Sequence, residues 1–377
     1  MAPTLPSTMK AAVLSRPGGG LSVELIPVPR PKTGEVLIRT TACGLCHSDL
    51  HVINGAIAFP TPAVLGHEVS GEIVEIGPGN ESYTFKVGDR VAGAFLMPCG
   101  SCPDCAAGRD DLCGPFFSLN RLKGQLFDGT SRLTSLDGEV IAQYSMAGLA
   151  EYCVIPSTAV AVLPPAIDPV AGSILGCAAM TAYGAVRRAA DLRHGESVAV
   201  IGVGGVGQNI IQIAREFGAD PLIAVDIQDE KLETALALGA SHAVNSAKQD
   251  AQAVIADITG GRMVNVAIEA LGLPRTFTQA LTFVGDGGRM VQVGLAAGAQ
   301  SAEVPINQTV RRSIRIIGSY GAHTRSDLPQ VIAMAAKGVI RYSDVVTLRV
   351  PLEQAGQAYE ALERGEVGGR AVVDFSL

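Results

Sequence analysis

The stretch SVAVIGVGGVG, residues 197–207, joins an apolar run to the glycine pattern G-x-G-x-x-G at positions 202, 204 and 207. The apolar run predicts a buried strand, and the periodicity of residues 207–217 predicts a helix after it. In such a turn the first glycine permits the tight bend, the second lets a pyrophosphate approach the backbone, and the third lets helix and strand pack closely. The free N–H groups at the start of the helix can bind the phosphates. The stretch therefore predicts the dinucleotide-binding turn of a doubly wound α/β domain.

Asp226 ends the next predicted strand, about 20 residues after the glycines, where a carboxylate can accept hydrogen bonds from the adenosine ribose. It would repel a 2′-phosphate, and the residues that follow, Ile227 and Gln228, are not basic. This pattern predicts NAD rather than NADP. A merely structural glycine turn and a helix-capping aspartate are the alternatives.

Two sequence regimes divide the chain. From about residue 180, apolar strands alternate with helical patterns, which predicts a doubly wound parallel sheet. The predicted strands are 197–203, 222–226, 242–245, 264–269, 289–294 and 314–318, and the intervening helices include 207–217, 230–238 and 251–258. Earlier, short alternating runs broken by Gly and Pro predict a mainly antiparallel β domain, with strands at 11–14, 35–40, 69–76, 90–95 and 151–155. The tail predicts a helix at 328–337, a strand at 344–350, a helix at 352–365 and a strand at 370–374.

Composition narrows the function classes. The 377 residues are too many for a single ordinary core, so we expect two domains. A net charge of −7 without basic clusters argues against nucleic-acid binding. The N-terminus lacks the apolar core of a signal peptide, and the most apolar stretch, 197–214, is interrupted by glycines, so we expect a cytoplasmic protein that does not enter a membrane. In a reducing compartment, eight cysteines favour metal binding over a framework of disulfide bonds.

Four of these cysteines, Cys99, Cys102, Cys105 and Cys113, lie within fifteen residues. Four thiolates at such spacing are typical of a closed tetrahedral zinc site. An iron–sulfur cluster can use similar spacing, but no second cluster motif follows. We therefore predict a structural zinc that folds this segment and leaves no open position for catalysis.

A second metal site is indicated by GLCHSDLH at 44–51, GHE at 66–68 and the distant Cys177. One cysteine, one histidine and a second cysteine would make a Cys₂His set whose fourth position stays open. Taken alone, Cys177 would be interpreted as a buried core thiol and His51 as a surface histidine. Cys43 and Cys153 match no ligand position.

Together these motifs occur in the order and spacing of the zinc-containing alcohol dehydrogenases, which belong to the medium-chain dehydrogenase/reductase superfamily. The chain resembles that family from Met9 to Arg370. The resemblance implies a GroES-like, mainly antiparallel β catalytic domain at 1–178 and 322–377 and a Rossmann NAD-binding domain at 179–321. It also implies an enzyme that interconverts alcohols with aldehydes or ketones by hydride transfer, with two zinc ions per subunit and NAD.

Individual roles follow from the same resemblance. Cys46, His67 and Cys177 would bind the catalytic zinc, with Glu68 behind it as a transient ligand. Asp49 would orient His67. Ser48 would hydrogen-bond the alcohol, and His51 would pass its proton to solvent. The residues implied for the cofactor are His47, Thr181, Gly202, Gly204, Gly205, Val206, Gly207, Asp226, Lys231, Val293 and Arg370.

The substrate is less well defined. An apolar pocket is predicted from Ile57, Phe59, Phe95, Tyr144 and Leu295, with Val293 nearby, which favours medium-chain or aromatic alcohols. A glutathione-dependent formaldehyde dehydrogenase is the first alternative, although Ile57 lies in an apolar segment and residues 115–119 carry no charge. A non-catalytic, zinc-stabilised NAD-binding protein is the second alternative. The long segment 114–147 is of the length found in dimeric members of the family it resembles, which favours a homodimer, with a tetramer as the alternative.

Overall fold

The computed structural model describes residues 5–296 and 298–377 and divides the chain into two compact units. The first contains the described residues through Cys177 together with His323–Ala336 and Tyr342–Leu377, and the second contains Ala178–Ala322 and Lys337–Arg341. The resemblance implied boundaries at 178/179 and 321/322, one residue away from each of these two junctions. The short segment 337–341 groups with the second unit, which the sequence did not indicate.

The first unit contains two sheets built from short, mostly antiparallel strands. These strands are β1 (Thr8–Leu14), β2 (Leu21–Pro27), β3 (Glu35–Leu45), β4 (Ala63–Val64), β5 (Glu68–Ile76), β6 (Arg90–Gly93), β7 (Leu133–Thr134), β8 (Val140–Gln143), β9 (Tyr152–Pro156), β10 (Val160–Val162), β17 (Val346–Val350) and β18 (Arg370–Asp374). One sheet has the order β2-β1-β4-β8-β7, and the other has the order β10-β6-β5-β3-β18-β17, with β9 also paired to β3. Most of β3 is buried because it has β5, β9 and β18 as neighbours.

The helices of the first unit are short, apart from two in the C-terminal tail. They are α1 (His47–Ile53), α2 (Pro103–Ala106), α3 (Pro169–Gly172), α10 (Thr324–Ala336), α11 (Tyr342–Val345) and α12 (Ala355–Glu363). Asp168 caps α3 by accepting hydrogen bonds from the backbone N–H groups of Val170 and Ala171. Single turns of 3₁₀-helix occur at Asp110–Leu112, Ser157–Ala159, Ser173–Gly176 and Leu352–Gln354, and a π-helix spans Phe116–Arg121.

The second unit is a six-stranded parallel sheet with helices between its strands, which confirms the predicted doubly wound fold. Its strands are β11 (Val198–Ile201), β12 (Leu222–Asp226), β13 (His242–Asn245), β14 (Val264–Glu269), β15 (Val284–Gln292) and β16 (Arg315–Gly318), in the order β13-β12-β11-β14-β15-β16. Its helices are α4 (Ala178–Tyr183), α5 (Gly205–Glu216), α6 (Asp229–Leu238), α7 (Ala251–Ile258), α8 (Pro274–Phe283) and α9 (Ile306–Arg311), with a π-helix at Gly184–Ala189. Every residue of β11 and β12 is buried, as expected for strands that are covered on both faces.

Four predicted elements in the C-terminal half were wrong in their bounds. The helix predicted at 328–337 spans Thr324–Ala336. The strand predicted at 289–294 begins at Val284, because residues 285–288 form an irregularity between the pairs Val264–Val284 and Val266–Arg289. The first residues of the strand predicted at 344–350 belong to α11. The helix predicted at 352–365 is a 3₁₀ turn followed by α12.

No single helix among the described residues is both long enough and apolar enough to span a membrane. One bent pair of helices, Pro169–Gly176 and Ala178–Ala189, reaches the length and hydropathy of a membrane span when the two are taken together.

Candidate metal centres and dinucleotide site

The first candidate metal centre is a cluster of four buried side chains whose donor atoms all lie within 4.8 Å of one another. Its members are Cys46, His67, Glu68 and Cys177. Cys46 lies between β3 and α1. His67 immediately precedes β5, Glu68 is the first residue of β5, and Cys177 follows a 3₁₀ turn. The structure thus brings together residues that are up to 131 positions apart in the chain. Two thiols, an imidazole and a carboxylate fit the donor preferences of Zn²⁺.

The cluster concentrates charge in a buried space. A hydrogen bond from Cys177, helped by Arg370 and His67, outweighs burial and holds the pKa of Cys46 well below its usual range. The same hydrogen bond, together with burial, raises the pKa of Cys177. Burial would lower the pKa of His67, but the charges of Asp49 and Cys46 raise it to about 9. Because metal ligands must be deprotonated, a bound Zn²⁺ would take the place of these protons.

A chain of hydrogen bonds supports His67 from behind. Its Nδ1 lies 2.9 Å from Oδ1 of Asp49, which also accepts a hydrogen bond from the backbone N–H of Gly66. The hydroxyl of Tyr359 donates to Oδ2 of Asp49 at 2.9 Å. Asp49 and Tyr359 are both buried, at 0% and 2% exposure. Sequence reasoning predicted Asp49 but missed Tyr359, which lies 310 residues further along the chain.

Glu68 forms an ion pair with Arg370. Arg370 begins β18, beside β3, and is 5% exposed. Neither carboxylate oxygen of Glu68 accepts a hydrogen bond within the described chain. The resemblance placed Arg370 at the cofactor pyrophosphate, whereas the structure places its guanidinium against a candidate metal ligand.

The residues of the predicted proton relay lie on one helix. Ser48 and His51 are one turn apart on α1, so their side chains share a face. The Ser48 hydroxyl lies 3.7 Å from the sulfur of Cys46, which connects it directly to the metal cluster. His51 is half-buried, and its carbonyl accepts a hydrogen bond from the backbone N–H of Ile57. His47, at the start of the same helix, is exposed.

Two of the predicted pocket residues, Phe95 and Tyr144, lie next to His67, and a third, Phe59, packs against Tyr144. The rings of Phe95 and Tyr144 each lie 6.1 Å from the His67 ring, and Phe59 contacts Tyr144 edge-on at 5.0 Å. Tyr144 is fully buried, and the guanidinium of Arg121 lies 4.3 Å above its ring. Tyr144 therefore supports the wall of this region rather than lining it. Of the two remaining pocket predictions, Ile57 is half-buried and Leu295, in the second unit, is 52% exposed.

The second candidate metal centre is the four-cysteine cluster, whose sulfur atoms also lie within 4.8 Å of one another. Burial raises the pKa of Cys113 to about 11. Backbone N–H groups of Ser101 and Cys102 outweigh burial at Cys99 and lower its pKa to about 7. Arg325 on α10 holds the segment by donating to both carboxylate oxygens of Asp110 and to a backbone carbonyl within the cluster.

Cys43 and Cys153 lie in neither cluster and are buried among core residues, as the sequence indicated. The hydroxyl of Thr40 donates to the sulfur of Cys153 at 3.8 Å.

The glycine turn of the second unit has open space beside Gly204, where a pyrophosphate could approach the backbone. Gly202 has a positive φ of 84°, and a Cβ there would collide with the Leu271 side chain. A Cβ on Gly207 would lie 2.0 Å from the carbonyl oxygen of Gly202, whereas a Cβ on Gly204 would meet nothing within 4 Å. Gly204 also precedes α5 without a side chain to cap it. The open space and the uncapped N–H groups fit a pyrophosphate.

Asp226 lies at the end of β12, the strand next to the glycine turn. Its Oδ2 accepts a hydrogen bond from the backbone N–H of Val203, and its Oδ1 accepts from Ile227 and Gln228. This network fixes the carboxylate at the sheet edge where dinucleotides bind. The other predicted cofactor residues of this unit, Thr181, Val206, Lys231 and Val293, are half-buried or nearly buried.

Sequence reasoning missed Glu269, the last residue of β14. Its fully buried carboxylate accepts hydrogen bonds from the backbone N–H groups of Leu271 and Gly272 and from the side chains of Thr276 and Gln292. It ties together two loops at the same edge of the sheet as the glycine turn. Its position as a carboxylate at the end of a buried strand is the sequence signal that could have identified it.

Two family models match this chain, and several known proteins are similar to it over nearly its whole length. Residues 32–165 match the family model described as the alcohol dehydrogenase GroES-like domain, and residues 205–337 match the model described as zinc-binding dehydrogenase. An alcohol dehydrogenase of Geobacillus stearothermophilus is 36% identical over 368 residues, which cover 97% of this chain and 98% of that protein. A zinc-binding-domain alcohol dehydrogenase protein from Burkholderia ambifaria superposes with a TM-score of 0.91 at 33% identity over 97% and 98% of the two chains. The benzyl alcohol dehydrogenase of Acinetobacter calcoaceticus superposes with a TM-score of 0.90 at 28% identity over 98% and 99%.

Proposed function

Because this chain belongs to the zinc-containing alcohol dehydrogenase family of the medium-chain dehydrogenase/reductases, we propose that it oxidises primary or secondary alcohols, and reduces the corresponding aldehydes or ketones, with NAD at a Cys₂His zinc. The observation that carries the proposal is the convergence of Cys46, His67 and Cys177, with Asp49 behind the histidine. Three protein ligands leave an open position for the substrate oxygen, which is the arrangement of catalytic rather than structural zinc.

The zinc, when bound, lowers the pKa of a coordinated hydroxyl and polarises a carbonyl. Ser48, whose hydroxyl lies beside Cys46, would hold the hydroxyl proton, and His51, one turn away on α1, would pass it on. Glu68 belongs to the same donor cluster and would be a further ligand, and Arg370 balances its buried negative charge. NAD supplies the hydride acceptor. The buried carboxylate of Asp226 supports the choice of NAD over NADP because it would repel a 2′-phosphate.

Aromatic or medium-chain alcohols are the proposed substrate class. Phe59 and Phe95 give the surroundings of His67 an apolar character. The benzyl alcohol dehydrogenase that superposes on this chain supports the same class by similarity.

Initial rates for a panel of alcohols and aldehydes, with NAD and with NADP, test the proposal alongside metal analysis. We expect NAD-dependent turnover and two zinc ions per chain, one for each cluster. Cys46→Ser should lose one zinc and the activity. Cys153→Ser, which changes a buried cysteine outside both clusters, should keep both.

Three outcomes would contradict this proposal. Active protein that contains only the zinc of the four-cysteine cluster would refute the Cys₂His site. Oxidation of formaldehyde only in the presence of glutathione would favour a glutathione-dependent formaldehyde dehydrogenase. Binding of NAD and zinc without turnover of any alcohol would favour a non-catalytic role.

A further inference from the structure

Glu269 is a buried carboxylate whose hydrogen-bond partners are all uncharged. It ends β14 and is 0% exposed. Five hydrogen bonds of 2.6–3.0 Å reach its two oxygens from the backbone N–H groups of Leu271 and Gly272 and from the side chains of Thr276 and Gln292. Every partner donates, which fits an ionised carboxylate, because that form only accepts.

The negative charge of Glu269 has no cation to balance it within the described part of the second unit. The ion pairs of that unit are formed by other carboxylates. A buried charge is costly without an opposite charge, even where hydrogen bonds satisfy its oxygens. A carboxylate held in this way can therefore attract a positive charge that a ligand brings to the site.

The order of the strands places Glu269 on the nicotinamide side of the proposed cofactor site. Asp226, the proposed partner of the adenosine ribose, ends β12, and the glycine turn follows β11. In the order β12-β11-β14-β15, the strand that ends at Glu269 lies on the other side of β11 from Asp226. A dinucleotide with its adenosine at β12 and its pyrophosphate at the turn therefore extends its nicotinamide towards β14 and β15.

Glu269 also holds the two segments of chain that follow these strands. A Cβ on Gly202 would lie 2.4 Å from Cγ of Leu271, so the segment after β14 packs against the first glycine of the turn. The backbone N–H of Val293, after β15, donates to the carbonyl of Glu269. A cavity of about 260 Å³ is lined by residues of both segments. The buried charge thus lies behind the wall of an open space at the cofactor edge of the sheet.

We infer that the Glu269 carboxylate strengthens the binding of the oxidised cofactor, whose nicotinamide ring is positively charged, relative to the reduced cofactor, whose ring is neutral. The inference rests on the proposed function, because it requires NAD at this edge of the sheet. Attraction between opposite charges is weakly screened in a buried environment, so it extends beyond direct contact. Donation of a hydride by NADH leaves the ring positive, and the same carboxylate therefore favours transfer from the cofactor to a carbonyl.

Three ligands separate the effect of charge from the effect of structure. The affinities of NAD⁺, NADH and ADP-ribose for the zinc-loaded protein are measured by calorimetry without an alcohol. Glu269→Gln removes the charge and keeps the size of the side chain. We expect it to weaken NAD⁺ by about fivefold or more relative to NADH. ADP-ribose, which has no nicotinamide ring, should change by the same small factor as NADH.

Gln292 offers a second pair of variants that keeps the carboxylate and its backbone partners. This pair is needed because Glu269→Gln turns an amide towards backbone N–H groups and can lower the stability of the fold, which thermal denaturation measures. Gln292→Lys places an ammonium group beside the carboxylate and should weaken NAD⁺ relative to NADH in the same direction. Gln292→Met removes the same amide without adding a charge, so it is the matched control and should leave the ratio unchanged.

An unchanged ratio of the NAD⁺ and NADH affinities in folded Glu269→Gln, or equal effects of Gln292→Lys and Gln292→Met, would overturn the inference. An equal loss of affinity for all three ligands in Glu269→Gln would also overturn it, because Glu269 would then only hold the two segments in place. In both cases, binding of the three ligands to the wild type would keep the proposed cofactor. A wild type that binds none of them would overturn the proposed function together with the inference.

Discussion

Tyr359 is the last link of the buried chain that ends at His67. Burial and the neighbouring Asp49 carboxylate raise the pKa of Tyr359, so its hydroxyl stays protonated and donates. Residues that orient a metal ligand change metal affinity by about 10–100-fold when they are mutated. Because Tyr359 acts through Asp49, we expect Tyr359→Phe to weaken zinc binding by about tenfold, the lower end of that range. Zinc loss to a chelator, followed over time, measures this effect.

Tyr342→Phe provides the control for this prediction. Tyr342 is another buried tyrosine of the first unit, and its hydroxyl accepts a hydrogen bond from the backbone N–H of Asp168. Each substitution removes one buried hydrogen bond and should cost about 1–3 kcal/mol of folding free energy. Only Tyr359→Phe should alter zinc release and the visible spectrum of cobalt-substituted protein. Equal rates of zinc release in the two variants would mean that Tyr359 contributes to packing but not to zinc binding.

At the residue scale, the sequence predicted the residues that short motifs carry. Cys46, Ser48 and Asp49 are close together in one motif, and His67 lies in a second. The resemblance of these motifs to the zinc-containing alcohol dehydrogenases then implied their roles. Tyr359 carries no local signature, because its importance comes from the residue that folding places beside it, Asp49. Arg370 shows the same limit, since its buried contact with Glu68 depends on the pairing of β18 with β3.

At the element scale, the glycine turn between β11 and α5 separates a packing role from a binding role. A Cβ on Gly207 would press against the Gly202 carbonyl, so Gly207→Ala should destabilise the second unit by about 2 kcal/mol, as overpacking does. A Cβ on Gly204 would meet no protein atom. Gly204→Ala should therefore change the melting temperature little but weaken NAD binding by about tenfold or more, because it fills the space for the pyrophosphate.

Thermal denaturation and NAD titration of the two variants distinguish these roles. Gly218→Ala is not a suitable control, because Gly218 has a positive φ of 82° and a Cβ there would strike His194. Gly356→Ala in α12 is suitable, since a Cβ there meets nothing and the position lies in the other unit. Tight NAD binding by Gly204→Ala would mean that the pyrophosphate lies elsewhere.

Element boundaries were predictable where apolar runs begin and end sharply. The strands at 222–226, 242–245, 264–269 and 370–374 have the predicted bounds. The prediction was wrong where glycines sit inside an element, as in β15, whose residues 284–288 include three glycines and form an irregularity beside β14. Such glycines resemble a turn in the sequence, and only the pairing of the strands shows that the strand continues.

At the scale of the whole molecule, the division into two units followed from the change of periodicity near residue 180. The return of the C-terminal tail to the first unit did not follow from periodicity. It depended on resemblance, and in the structure it reflects the pairing of β18 between β3 and β17. Long-range strand pairing of this kind leaves no periodic trace in the sequence.

The predicted homodimer has a candidate surface on the second unit. Among the described residues β16 ends its sheet, with β15 on one side and no strand on the other. Nearby apolar side chains are exposed, with Ile306 at 73% and Val310 at 74% on α9 and Ile316 at 39% on β16. Unprotected edges and apolar patches of this kind are typical of association surfaces. We propose that two copies of the chain associate through β16 and α9.

Val310→Glu should convert the dimer to a monomer, because it places a charge in the centre of this apolar surface. Light scattering coupled to size-exclusion chromatography measures the mass directly. Val140→Glu is the matched control, since Val140 is 65% exposed on β8, which belongs to the first unit and is not part of the proposed surface. It should leave the mass at that of a dimer. A wild type that runs as a monomer would contradict the homodimer. A Val310→Glu variant that stays dimeric would show that the interface lies on another face, because a glutamate without a partner is costly in a buried apolar contact.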